Sequence, residues 1–211
     1  MPKDKTDSHI LILENAKKEF LMLGFEKASM RSIAKKSGLT GGALYKHFKS
    51  KEDMFNALVE PAYSGIFRLF DQYTGSVMED MKKNPDELSK DSVEGTKAVF
   101  SFVYENFDEF RLMFNCSAGT KFENIREAIV DIEVKSTKLF IENAKKNGFT
   151  LNEISDNEIH IFATMSLTPM FEVITHGYEY DEAVRIVELM SQAQNYAWEK
   201  IINLRKNDIP T

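Results

Sequence analysis

Seven cationic side chains and no acidic one stand between Lys27 and Lys51: Lys27, Arg31, Lys35, Lys36, Lys46, Lys49 and Lys51. Among them lie Ser29, Thr40, Tyr45 and His47, which offer neutral hydrogen-bond donors, and the adjacent small pair Gly41 and Gly42. Cations draw in phosphate from a distance, and neutral donors bond its oxygens at contact, so this mixture suits a polyanion such as nucleic acid. Taken alone, a basic run is more often only a solvated face. Catalytic chemistry has little to stand on. His9, His47, His160 and His176 lack ligand spacing such as HExxH, and no Gly-rich phosphate loop or nucleophile motif occurs. Cys116 is the only cysteine, which rules out an internal disulfide and argues against a structural zinc site. The expectation is a non-enzyme with no cofactor and no metal.

Overall charge conceals this local field. The chain carries a net charge of -6, yet its first 55 residues hold 11 Lys and Arg against 7 Asp and Glu, so a basic start precedes an acidic remainder. With 211 residues and 43% hydrophobic content there is enough apolar material for a buried core. No apolar run approaches the roughly 20 residues needed to span a bilayer, and Met1 to Asp7 is polar, so a cytoplasmic location and no membrane partner are expected.

The elements that must carry these residues read as helix after helix. Ile10, Leu13, Ala16, Phe20 and Leu23 recur at helical spacing from a cap near Ser8 until Gly24. A short second helix follows Ser29, with Met30, Ile33 and Ala34 inward, and stops at Ser37-Gly38. Thr40 caps a third through Phe48, pinned by Leu39, Leu44 and Phe48. Ser50 and Asp53 open a fourth, which Pro61 should kink or break, and Asn84-Pro85 ends the stretch after it. Further helices are expected near 90–106, 107–117, 123–147, 156–176 and 181–205. Two short helices joined by a tight glycine turn are what a helix-turn-helix requires, the second being laid into a DNA groove.

In register over about forty residues, Phe20-x3-Gly24-Phe25, Ser29-x3-Ile33-Ala34-x3-Gly38-Leu39, Thr40-x-Gly42-Ala43-Leu44-Tyr45-Lys46-His47-Phe48 and Ser50-Lys51-Glu52 resemble the DNA-binding domain of the tetracycline-repressor (TetR) family. That resemblance implies an all-α protein, with a three-helix DNA-binding head over 1–52 and a helical effector-binding and dimerisation body over 53–211. It implies a homodimeric regulator, most often a repressor, that holds double-stranded DNA at a near-palindromic operator until a small effector releases it. Residue by residue it assigns DNA contacts to Ser29, Arg31, Thr40, Gly41, Gly42, Tyr45, Lys46, His47 and Lys51. Gly41 has no side chain to read a base with, which shifts direct readout towards Arg31, Thr40 and Lys46. A dimeric small-molecule binder with a vestigial DNA head is the alternative. It fits poorly with a run of 25 residues free of acid.

Beyond the head, the last helix carries a narrow apolar stripe, Ala183, Val187, Met190, Gln194, Ala197, Ile201 and Leu204, widened by Ile186, Leu189, Ala193 and Tyr196. Val187, Met190, Gln194, Ala197 and Ile201 are the candidate dimer seam; packing within its own subunit is the alternative. Aromatic and methionine side chains crowd the middle of the chain. Ordinary core accounts for most of them, but the family's internal effector cavity makes Phe100, Tyr104, Phe107, Met113, Phe114, Phe140, Phe162, Met165, Phe171 and Glu172 candidates for a hydrophobic or planar ligand. Pro169 inside a helix frees backbone groups to shape such a cavity, while Glu172 and His176 read as a surface pair.

Overall fold

Nine helices account for nearly all of the regular structure among residues 5–83 and 88–206, which the computed structural model describes; the expected helix end at Asn84-Pro85 lies outside the described residues. The order is α1 (Lys5–Lys27), α2 (Met30–Lys36), α3 (Gly41–Tyr45), α4 (Lys51–Lys83), α5 (Leu88–Glu105), α6 (Phe107–Asn115), α7 (Ile125–Lys146), α8 (Asp156–His176) and α9 (Tyr180–Ile202). Two-residue strands β1 (Phe149–Thr150) and β2 (Arg205–Lys206) pair antiparallel, Phe149 opposite Lys206. The all-α expectation holds.

Local chemistry sets most of the boundaries. Gly24 takes φ 75 and interrupts α1, one turn before its last residue. Gly38, at φ 70, closes α2: its N–H bonds the Lys35 carbonyl at 3.1 Å and the Leu39 N–H bonds the Ala34 carbonyl at 2.9 Å, the paired bonds of a Schellman ending. Ser50 Oγ accepts the Asp53 N–H at 2.9 Å to start α4. Ser155 and Glu158 form a reciprocal capping box at the start of α8.

Pro61 does not break α4, contrary to expectation; the helix runs unbroken from Lys51 to Lys83. The carbonyl that loses its donor belongs to Ala57, and both Ala57 and Pro61 are exposed, which leaves that carbonyl open to solvent. Pro169 is likewise absorbed within α8. Here the orphaned carbonyl, that of Met165, accepts the Gln194 side-chain amide from α9 at 3.1 Å.

The chain divides into two compact units. One comprises the residues up to Gly65 with Glu105–Ile125, so that α6 packs with α1 and the helices that follow it. Its core holds Ile12, Phe20, Ile33, Leu44, Phe55, Phe110, Met113 and Phe122, all essentially sealed from solvent. Lys17 and Glu109 pair across α1 and α6. The other unit comprises Ile66–Tyr104 and the residues from Arg126 onward. In it Phe100, Val173, Ala183 and Val187 form one buried cluster and Ala144 with Phe149 another. None of the helices, among the described residues, is long and apolar enough to cross a membrane.

Candidate nucleic-acid interface

α3 is only five residues long and borrows its rigidity from below. Leu44 is fully buried and Phe48 nearly so, while Thr40 Oγ1 accepts the Ala43 N–H at 3.2 Å and caps the first turn. The opposite side is open: Thr40, Gly41, Gly42, Tyr45 and Lys46 are exposed, as are Ser29 and Arg31 at the start of α2. His47 is half-buried, its ring 5.9 Å from that of His9, which stacks on Phe48 at 4.7 Å. A Cβ placed on Gly41 or Gly42 would meet nothing within 4 Å. Nothing inside the fold therefore calls for glycine at either position.

The cations of the run divide into two groups. Lys36 Nζ lies 2.6 Å from the carboxylate of Glu19, a residue on the buried face of α1 that also accepts Ser32 Oγ at 3.1 Å. Burial alone would raise the Glu19 carboxyl. The hydrogen bonds from Lys36 and Ser32, the Lys36 charge and the Ser29 backbone N–H outweigh it and hold the carboxyl below its ordinary pKa. Lys51, among the DNA contacts that the resemblance implies, spends its ammonium on the chain: it donates to the carbonyls of Phe25, Glu26 and Ala28 at 2.6, 2.9 and 3.2 Å and lies 4.5 Å from the Phe25 ring centre. These bonds close the end of α1 onto the start of α4. Lys27, Arg31, Lys35, Lys46 and Lys49 are exposed, as is Lys36 despite its pairing.

Sequence reasoning missed Glu19. Its position on the apolar stripe Ile12, Ala16, Glu19, Phe20 was the available signal, since a charge at core spacing needs a partner.

The candidate effector residues are divided between the two units. Phe107, Met113 and Phe114 belong to the first unit, where Met113 is core. In the second, Phe100 and Tyr104 stack at 4.8 Å, and Tyr104 donates its hydroxyl to the Tyr178 carbonyl at 2.9 Å. Burial and the nearby Glu179 charge push that hydroxyl up to about 12, so it stays a donor. Phe140 packs against the cluster of Ala144 and Phe149, Phe162 stacks on Trp198 at 4.8 Å, Phe171 is buried and Met165 is exposed. Glu172 lies on the surface, 3.1 Å from His176 Nε2. Among the described residues no group of three or more His, Cys, Asp or Glu is arranged to hold a metal. Burial pushes the Cys116 thiol up against the opposing charge of Arg111, which disfavours the reactive thiolate.

Of the candidate dimer residues, Val187 is buried in the chain's own core and Gln194 is bonded to Met165, whereas Met190 and Ile201 are exposed and Ala197 is half-buried. Leu189 and Tyr196 on α9, and Ile161 and Met165 on α8, are large apolar side chains with even more surface open to solvent.

Comparison with known proteins agrees with this geometry. Residues 12–58 match the family described as "Bacterial regulatory proteins, tetR family". YdgC of Bacillus subtilis, an uncharacterized HTH-type transcriptional regulator, is 30% identical over 114 residues, 54% of this chain, and the chain spans just over half of that relative, 56%. YhgD of the same organism, described in the same words, is 30% identical over 170 residues, 76% of this chain and 80% of the relative. The crystal structure of PfmR, a TetR family transcriptional regulator from Thermus thermophilus, shares the fold at 22% identity, with a TM-score of 0.58 over 87% of this chain and 94% of that one. The chain belongs to the tetR family of bacterial regulatory proteins.

Proposed function

We propose that this chain is a homodimeric transcriptional regulator, acting as a repressor, that binds double-stranded DNA through the exposed tip of α3 and is released by a small organic effector held in the helices beyond the head. It performs no catalysis. The observation that carries the reading is the bare pair Gly41-Gly42, a place where side chains would fit freely and none is present. An approaching backbone explains such an omission, since only glycine lets a duplex come within contact of the helix. Thr40, Tyr45 and Lys46 flank the pair with donors, and Ser29 and Arg31 supply the edge from α2.

Two heads are needed to read a near-palindrome, and the exposed apolar residues of α8 and α9 supply a surface for the second copy. An effector that prefers a body with the heads wrongly spaced lowers DNA affinity by its differential binding, typically by about 1–3 kcal/mol. The test is fluorescence anisotropy on DNA flanking the chain's own gene. Lys46→Ala is expected to weaken binding and reduce the salt slope by about one. Gly42→Ala is expected to stabilise the fold by about 0.4–1 kcal/mol while weakening DNA binding. Wild-type DNA affinity in both variants overturns the assignment.

A further inference from the structure

Which bases a head distinguishes depends on the hydrogen-bonding groups it brings to the major groove. Arginine or lysine bonds the O6 and N7 acceptors of guanine, asparagine or glutamine bonds the N6 and N7 of adenine, and a carboxylate accepts from the N4 of cytosine. No acidic residue stands between Lys27 and Lys51, and no asparagine or glutamine stands between Asn15 and Asn56. Asn15 is half-buried and donates its amide to the Leu11 carbonyl at 2.9 Å and to Ser37 Oγ at 3.2 Å. Asn56 is half-buried as well, its Oδ1 closed off from solvent. At the tip of α3, Gly41 and Gly42 have no side chain to offer. The exposed hydroxyls of Ser29, Thr40 and Tyr45 both donate and accept, so they do not tell one base from another.

Only cations are left. Arg31 is the first arginine of the chain, the next being Arg68, and every other cation of the basic run is a lysine. Lys36 and Lys51 have partners within the chain. Arg31, the second residue of α2, is exposed, and among the described residues its guanidinium has no partner. The turn that carries it is held in place: the Ser29 backbone N–H and the Ser32 hydroxyl, on either side of Arg31, both bond the sealed carboxylate of Glu19. A planar fork on a fixed base matches O6 and N7 together, whereas an ammonium acts as a point charge.

We infer that hydrogen-bonded base recognition by this head is confined to guanine, with Arg31 as the specificity-determining residue. A·T pairs are then sensed only through the thymine methyl or the shape of the duplex. This rests on the DNA-binding reading above and gives its operator a base code.

The test begins with selection of a preferred site by the full chain from a pool of randomised duplexes. Guanines and adenines of that site are then replaced one at a time by 7-deazaguanine and 7-deazaadenine, in which C–H stands for N7, and affinity is read by fluorescence anisotropy. At least one 7-deazaguanine position is expected to weaken binding about tenfold, and no 7-deazaadenine position to approach that loss. Arg31→Lys keeps the charge and removes the fork. It is expected to lose the preference for that guanine while keeping the wild-type salt slope on unrelated DNA. Indifference to 7-deazaguanine, an equal effect of 7-deazaadenine, or an undiminished guanine preference in Arg31→Lys overturns the base code and leaves DNA binding standing. A pool from which no sequence is enriched overturns the regulator reading itself, and the base code with it.

Discussion

Glu19 and Glu133 sit at inward positions of their helices, one in each compact unit, Glu19 sealed from solvent and Glu133 partly accessible, and they are treated in opposite ways. Glu19 in α1 is met by Lys36, Ser32 and the Ser29 backbone, which hold its carboxyl low; Glu133 in α7 is met by no partner among the described residues, and desolvation drives its carboxyl up. A buried charge that the chain itself satisfies fastens one helix to another. One that the chain leaves without a partner costs stability.

The largest expected effect falls on Glu19. Glu19→Ala strips the acceptor from Lys36 and Ser32 and is expected to cost about 2–3 kcal/mol in a denaturant titration, the upper end because the site is buried. DNA binding should fall with it, because Ser29 and Arg31 ride on the helix that Glu19 anchors. The pH dependence follows from the direction of the shift. With its folded pKa below the unfolded one, Glu19 stabilises the protein at neutral pH, and that contribution is lost as pH falls through the acidic carboxylate range. Glu19→Gln should therefore melt below wild type at pH 7 and approach it in acid. A constant gap between the two across that range breaks the comparison.

Lys51→Met comes next, at about 1–2 kcal/mol, because three carbonyls lose one charged donor while the aliphatic stem is retained. Its value lies in the salt dependence of DNA binding. If the ammonium serves the head's frame, the slope of affinity against salt stays as in wild type, whereas a lost phosphate contact lowers it by about one.

For Glu133 the sign reverses. Glu133→Gln is expected to stabilise the unliganded protein by about 1 kcal/mol at neutral pH, since an amide is far cheaper to desolvate than a carboxylate. Because the folded pKa is raised, the penalty exists above that pKa and disappears below it, so the gain should shrink as the wild type is acidified. Thermal melts at pH 7.5 and 4.5 measure it. A destabilised Glu133→Gln at neutral pH would mean that the carboxylate is satisfied after all.

How much of this the sequence disclosed depends on the range of the interaction. The helices and most of their ends were legible, because caps and stops such as Thr40, Ser50, Gly38 and Gly24 act on backbone within five residues. The candidate surface was legible for the same reason: Thr40 to Lys46 form and cap one short helix whose apolar side is evident from spacing, although the expected extension of that helix to Phe48 does not occur. Lys51 and Lys36 misled as members of a basic run because their true acceptors lie 23 to 26 and 17 residues away in sequence. The role of the apolar stripe on α9 was only partly legible. One stripe on a helix shows that it is buried, and whether by its own chain, as Val187 is, or by a second copy depends on packing that periodicity does not encode.

Pro169 and Gln194 supply the smallest effect and the most selective check on such long-range pairing. Proline at 169 deprives the Met165 carbonyl of its helical donor, and the Gln194 amide takes the vacancy from the neighbouring helix. The bond lies near the surface, where water competes, so Gln194→Ala should cost only about 0.5–1 kcal/mol. Pro169→Ala restores an N–H at the right place, and in that background the helix supplies the donor that Gln194 supplied before. The same Gln194→Ala change should then cost almost nothing, giving a coupling energy close to the whole of the single-mutant effect. Equal costs in both backgrounds would show that Gln194 acts through some other contact, its share in a dimer seam being the first to examine by comparing the two variants above and below the concentration at which the chain self-associates.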